Sequence, residues 1–299
     1  MAFLPTGSVP YQQYITEPLP SVASILKEQG YTTIAMHPYY ATGWNRDKVY
    51  PLLGFDTMYF RDSFKNPEIL RTYVSDRSTY QKIIDCYEEK DSSESLFIFD
   101  VTMQNHSGYS DRYDNFVPQI TVDALSGSHP ATAQYLSLVQ EGDKAFQELT
   151  EYFQDEEDTI ILMFGDHQPT DFIADCILEL NGKDREEMTQ EEIECRYIVP
   201  FVMWANFNLD GSEDDKTEIS VNYLSSLLFE KAGLNTSDYQ DYLSGLSEIL
   251  PVVTANGYMD AEGNFYTYKE ETEYSPLLNQ YSQFQYNNLF DETYDAFFE

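Results

Sequence analysis

Apolar runs of strand length alternate with segments of helical period along most of this chain. Val22, Ile25 and Leu26 share one face of a helix predicted over residues 21–29, and Gly30 stops it. The β-branched run at residues 31–36 follows as the first strong strand. A helical stretch at residues 80–89 precedes a second run at residues 96–101. Residues 135–153 read as one long helix, with Leu136, Val139, Phe146, Leu149 and Phe153 recurring at a period of about 3.6. Residues 159–164 form the third run. Residues 198–204 form the fourth, and Pro200 within it predicts an edge position or a bulge. A helix over residues 220–232 ends at Gly233, the expected left-handed C′ residue.

Continuous apolar strands separated by helices predict an α/β fold: a mainly parallel sheet with helices on both faces. An extended segment and a helix come before any strong strand, as in a βαβ unit whose first strand is not among these residues. Past about Asn235 the pattern changes. Turn signals at Asn256, Gly257 and residues 262–264 flank short aromatic strands. Ser275 and Pro276 open a last helix with Leu277, Tyr281, Phe284 and Leu289 turned inward. The expected organisation is an α/β domain at residues 1–235, lacking its first strand or strands, and a small α+β appendage at residues 236–299.

Charge narrows the partners. Among 299 residues, 52 acidic against 17 basic side chains give a net charge of −35. Nucleic acid and anionic lipid surfaces both need a basic footprint, so neither is expected. A small anionic substrate in one locally basic pocket stays compatible. The 25 tyrosines and 19 phenylalanines supply a sizeable core. No apolar run reaches membrane-spanning length, and the first eight residues lack the features of a signal peptide. Cys86, Cys176 and Cys195 have no metal-type spacing and read as buried small apolar residues. The acidic run at residues 155–158 reads as a solvated loop, not a calcium site. The sequence names no oligomeric partner.

Three of the four histidines follow predicted strands: His37, His106 and His167. Ligands of open parallel sheets sit beyond the carboxyl ends of the strands, so one cavity there is expected to collect them. His129 has no such position and is read as structural. Asp166 and His167 offer a hard carboxylate oxygen and an imidazole nitrogen, a pair suited to Mn²⁺, Mg²⁺ or Zn²⁺. Arg46 is one of seven arginines in a very acidic chain, and a guanidinium grips phosphate or sulfate oxygens bidentately. Trp44 beside it supplies a flat apolar wall. The alternative for Arg46 is a surface pair with Asp47. His106, in the polar loop after the second strand, can contact a substrate oxygen or shuttle a proton.

Met36 and His37, the stretch Trp44, Asn45, Arg46 and Asp47, then Met103, Gln104, Asn105 and His106, and finally Gly165, Asp166 and His167 occur in order at compatible spacing. In this the chain resembles the extracellular domain of lipoteichoic acid synthases, phosphoglycerol transferases of the sulfatase branch of the alkaline phosphatase superfamily. The resemblance covers nearly the whole chain. It implies a divalent metal, Mn²⁺ foremost with Mg²⁺, Zn²⁺ or Ca²⁺ as alternatives, held by Asp166 and His167. It implies that His106 contacts the substrate phosphate, and that His37, Trp44 and Arg46 line a glycerophosphate pocket. The family's threonine nucleophile, and a further acidic ligand from its first strand, lie upstream of the matched segment. Thr6 falls after the nucleophile position and is not assigned to it. The chain is thus expected to be the C-terminal part of a larger envelope enzyme whose membrane helices also lie upstream. That parent would work on the outer face of a bacterial membrane, and this chain alone is expected not to turn over. A non-catalytic anion-binding module is the competing expectation.

Overall fold

The structure, a computed structural model, describes residues 3–5, 7–125, 127–209, 217–291 and 295–298; Thr6 lies outside the described residues. A turn of helix, α1 (Pro10–Gln13), leads to α2 (Val22–Glu28). The Ser21 hydroxyl caps α2 by accepting from Ala23 and Ser24, and the Ser24 hydroxyl accepts from the Ser21 amide in return. These bonds satisfy amides that a helix start otherwise leaves unpaired. The chain continues through β1 (Tyr31–His37), α3 (Arg46–Leu52), β2 (Thr57–Phe60), the hairpin β3 (Ile69–Leu70) and β4 (Tyr73–Val74), α4 (Asp76–Glu89), β5 (Ser95–Asp100) and α5 (Pro130–Phe153). Then come β6 (Ile160–Phe164), α6 (Asp171–Leu180), α7 (Gln190–Glu194), β7 (Phe201–Ala205) and α8 (Leu224–Ala232). The tail holds α9 (Asp238–Ile249), β8 (Val252–Val253), β9 (Gly257–Met259), β10 (Phe265–Thr267), α10 (Ser275–Phe290) and α11 (Asp295–Phe298).

β1 lies between β2 and β5, and all three run parallel. Both faces of this sheet are covered. Ile34 and Met36 pack with Ile98 against Cys86 and Ile83 of α4. Phe97 packs on the opposite side against Ile25 and Leu26 of α2 and Phe229 of α8. The α/β architecture expected from the alternation is therefore present. One part differs: β6 pairs antiparallel with β7 in a separate two-stranded sheet. Pro200 sits just before β7, and its carbonyl accepts from the Gly165 amide at the end of β6. Among the described residues, β5 and β6 each keep one edge without a strand partner.

Two side-chain readings also need correction. The buried face of α5 runs through Ala131, Leu138, Ala145, Leu149 and Phe153, which leaves Val139 exposed. Of the cysteines Cys86 is buried, Cys176 is half-buried and Cys195 is exposed, because Cys195 follows α7 on the surface. The acidic run at residues 155–158 is exposed.

In the tail, β8, β9 and β10 form an antiparallel meander. Its core joins Leu243, Leu246, Leu250, Val253, Tyr258, Leu278 and Tyr281 to Tyr223, with Phe3 packed against them. Asp260 organises the turn. Its carboxylate accepts from the amides of Glu262 and Asn264 and from the hydroxyls of Tyr266 and Tyr274. These donors hold its pKa down at about 2 against the opposing effect of burial.

Candidate active site

His37 ends β1 with 1% of its surface exposed. Its Nδ1 lies 2.8 Å from the Val101 carbonyl. A carbonyl only accepts, so Nδ1 carries the proton and Nε2 keeps its lone pair. Burial pushes the His37 pKa down to about 4, and the nearby charges of Arg46 and His106 add to the shift. The ring is therefore neutral near pH 7 and presents an acceptor.

The turn after β1 sets Arg46. Trp44 and Asn45 are both left-handed, with φ of 58° and 55°, which tightens the chain so that α3 begins at Arg46. Arg46 Nε donates to the Tyr50 hydroxyl at 3.2 Å and Nη1 to the Gly43 carbonyl at 3.1 Å. No carboxylate among the described residues, Asp47 included, lies within ion-pair distance of Arg46. Trp44 stands 53% exposed beside it.

His106 is an exposed residue of the loop after β5. Its Nδ1 is 3.2 Å from the Tyr73 hydroxyl, and the two rings lie 5.5 Å apart. Tyr73 is 6.1 Å from Tyr39, which is 6.2 Å from the His37 ring. A tyrosine wall thus links His37 to His106, with Arg46 at its side.

Asp166 and His167 follow β6, whose exit is tight: a Cβ on Gly165 would stand 3.0 Å from Val199 Cβ. Both side chains are largely exposed, with His167 Nε2 3.4 Å from Asp166 Oδ2. His167 Nδ1 donates to the Gln168 carbonyl at 2.8 Å, which leaves Nε2 free as a donor atom toward a cation. One oxygen and one nitrogen converging at this spacing fit two neighbouring positions around a divalent metal. No group of three or more such donors exists among the described residues. Burial raises the Tyr109 pKa, with a smaller contribution from the Asp166 charge, and the Tyr109 hydroxyl donates to the Asn105 carbonyl at 2.6 Å. His37 and the His106 loop follow strands of the parallel sheet and Asp166 and His167 follow β6, so the candidate residues come from two sheets and not from one sheet edge. A cavity of about 130 Å³ lies elsewhere, between residues 14–20 and the end of α10. His129 sits outside this region, at the start of α5, with Nδ1 3.2 Å from Cys176 Sγ.

The pattern gave no sign of two buried carboxylates behind the His106 loop. Asp76 opens α4 and is 3% exposed. Burial pushes its pKa up to about 7, against hydrogen bonds to its carboxylate from the Thr102 side chain and the Gln104 backbone. Asp100 ends β5, and neither of its buried carboxylate oxygens has a hydrogen-bond partner. Burial, and then the charge of Asp76, raise the Asp100 pKa well above the usual carboxylate range. Gly142 of α5 leaves room for Asp76, since a Cβ there would meet Asp76 Oδ2 at 3.0 Å.

The sulfatase family model matches residues 2–234. The chain belongs to the sulfatase family. A putative cyclic β-1,2-glucan modification protein of Rhizobium meliloti is 30% identical over 252 residues, which cover 81% of this chain and 38% of that protein. Lipoteichoic acid synthase 1 of Bacillus subtilis is 25% identical over 173 residues, covering 56% of this chain and 25% of the synthase. The chain thus spans well under half the length of these relatives. The fold also matches a Streptococcus pyogenes phosphoglycerol transferase solved in complex with sn-glycerol-1-phosphate, with a TM-score of 0.67 and 22% identity over 96% of this chain and 69% of that one. The family's members are enzymes, and its relatives here include lipoteichoic acid synthases. No helix among the described residues is long and apolar enough to cross a membrane.

Proposed function

We propose that this chain supplies the substrate-gripping and metal-holding part of a phosphoglycerol transferase-type site that acts on phosphate or sulfate esters of cell-envelope polymers. The observation that carries this reading is the guanidinium of Arg46, free of any carboxylate among the described residues in a chain of net charge −35, beside the neutral His37. Arg46 grips the non-bridging oxygens of a glycerophosphate-type anion. His37 Nε2 accepts from a hydroxyl of the glycerol portion, and Trp44 walls its carbon side. His106 reaches the same phosphate across the tyrosine wall. Asp166 and His167 hold the divalent cation, Mn²⁺ foremost with Mg²⁺, Zn²⁺ and Ca²⁺ as alternatives. When bound, that cation stabilises negative charge developing on the ester oxygens. The nucleophilic threonine and a further acidic ligand come from parts of the relatives that these residues do not cover. The site works on the outer face of a bacterial membrane.

The test is calorimetric titration of sn-glycerol-1-phosphate into wild type, Arg46→Ala and Arg46→Lys. Loss of the charged contact weakens binding by roughly 1.5–3 kcal/mol. Lysine restores only part of this, because the fork geometry is lost. Equal affinity in wild type and Arg46→Ala refutes the pocket. A second reading, an anion-binding module without turnover, draws on the two-donor metal pair. Metal-dependent hydrolysis of a chromogenic phosphodiester by this chain, abolished in His167→Ala, would exclude it.

A further inference from the structure

The hairpin β3–β4 is two residues long on each side and turns through Arg71 and Thr72, since Leu70 pairs with Tyr73. Its first turn residue takes φ of 57°, a left-handed conformation that favours glycine and strains a residue with a Cβ. An arginine stands there. Its side chain does not run into solvent, for the residue is only 4% exposed.

The guanidinium is spent on one loop. Nη1 donates to the Gly108 carbonyl at 3.0 Å, and Nη2 donates to the carbonyls of Gln104 at 2.7 Å and His106 at 2.8 Å. The rings of Tyr109, Tyr73 and Tyr113 surround its carbon at 5.3, 5.6 and 6.0 Å. Among the described residues no carboxylate reaches it, so the aromatic faces and the three carbonyl dipoles balance the buried charge. Asn115 Nδ2 pins the turn itself through the carbonyls of Ile69 at 2.7 Å and Arg71 at 3.0 Å. The loop so gripped has no helix or strand of its own, and it carries His106.

We propose that Arg71 is a positioning residue for His106. Its forked cation ties three carbonyls of the loop at residues 104–108 to the β3–β4 turn, so that the exposed imidazole faces the substrate in one orientation, with Tyr73 holding Nδ1. The left-handed turn persists because it aims the guanidinium into the loop. The inference rests on the reading of His106 as a substrate contact, and its test keeps the two apart.

The full chain is labelled with ¹⁵N-histidine, and the His106 imidazole resonances are assigned by loss in His106→Gln. In wild type they form one sharp set. Arg71→Met splits or broadens them, Arg71→Lys does so less, and the His129 signals stay in place. Asn115→Ala, which loosens the turn but keeps the guanidinium, gives a partial effect and serves if Arg71→Met fails to fold. Phe229→Leu, a core change on α8 distant from the loop, lowers the melting temperature without moving His106 and so controls for destabilisation. sn-Glycerol-1-phosphate binding falls by roughly an order of magnitude in Arg71→Met, the scale of one lost charged contact. If the His106 signals change while affinity does not, the positioning role stands and the substrate reading of His106 falls. If a folded Arg71→Met or Asn115→Ala chain keeps the wild-type His106 signals, the positioning role is overturned.

Discussion

Replacing Asp76 by asparagine should make this protein more stable at neutral pH. The Asp76 carboxyl is buried and its Oδ1 has no partner. Its pKa is pushed from 3.8 up to about 7. A raised acid pKa means that the native state binds a proton which the unfolded chain has released, so stability falls as pH rises from 3.8 toward 7. Three units at about 1.4 kcal/mol each set an upper limit of about 4 kcal/mol at pH 7. Asparagine removes the titration but still buries an amide that needs partners, so the expected gain is about 2 kcal/mol. His37 acts with the opposite sign. Its pKa is lowered from 6.5 to about 4, so acid protonates the unfolded chain first and costs about 2 kcal/mol between pH 7 and 5. In wild type the two effects oppose each other; Asp76→Asn removes the Asp76 share of that opposition and leaves the share from Asp100. Urea unfolding at pH 7 and pH 5 reads both. Subtracting the variant from wild type cancels the general repulsion of the acidic surface. The advantage of Asp76→Asn should shrink by about 2 kcal/mol and so vanish near pH 5, and below pH 4 the variant should be the less stable chain by about the cost of the buried amide. An Asp76→Asn chain less stable than wild type at pH 7, or an advantage equal at both pH values, would refute the argument.

His167→Ala should weaken Mn²⁺ binding, followed by calorimetry or by the paramagnetic relaxation of water, because it deletes one of the two converging donors; unchanged binding would remove the pair as the seat. Gly257→Ala should destabilise the tail by about 2 kcal/mol or more in thermal unfolding, since its Cβ would stand 2.4 Å from the Tyr266 carbonyl oxygen. Asp260→Ala should loosen the β9–β10 turn, seen as faster amide exchange at Tyr258 and Tyr266. The depressed Asp260 pKa means that its contribution in wild type is full above pH 3.8 and lost only as pH falls toward about 2.

Much of the scaffold was legible because its strands are buried on both faces, which writes continuous apolar runs such as residues 31–36. The positions of His37, His106 and His167 were legible for a related reason, since each follows such a run. The pairing of the fourth run was not. A short apolar strand carries no mark of direction, and Pro200 told only that a ladder is interrupted near that point. Val139 was misplaced because Leu138 and Ala145 take the buried face, and alanine is a weak signal in a hydrophobic pattern. Arg71 and the pair Asp76 and Asp100 lay hidden for a different reason. A buried charge looks in sequence like any surface charge, and its burial follows from partners as distant as Gly142.

The left-handed turn at Trp44 and Asn45 sets a conflict for any selection that rewards thermostability alone. Asparagine tolerates this conformation well, whereas tryptophan bears the steric cost of a Cβ there. Trp44→Gly would relieve that cost and, with the indole already half in solvent, forfeit little packing. A heat-challenged library should therefore enrich glycine at position 44, and the enriched clones should melt later while losing the flat wall beside Arg46. Drift toward a sturdier protein would blunt the pocket proposed beside Arg46, so the strained backbone gives position 44 a use in telling whether a lineage is selected for a ligand there or only for its fold.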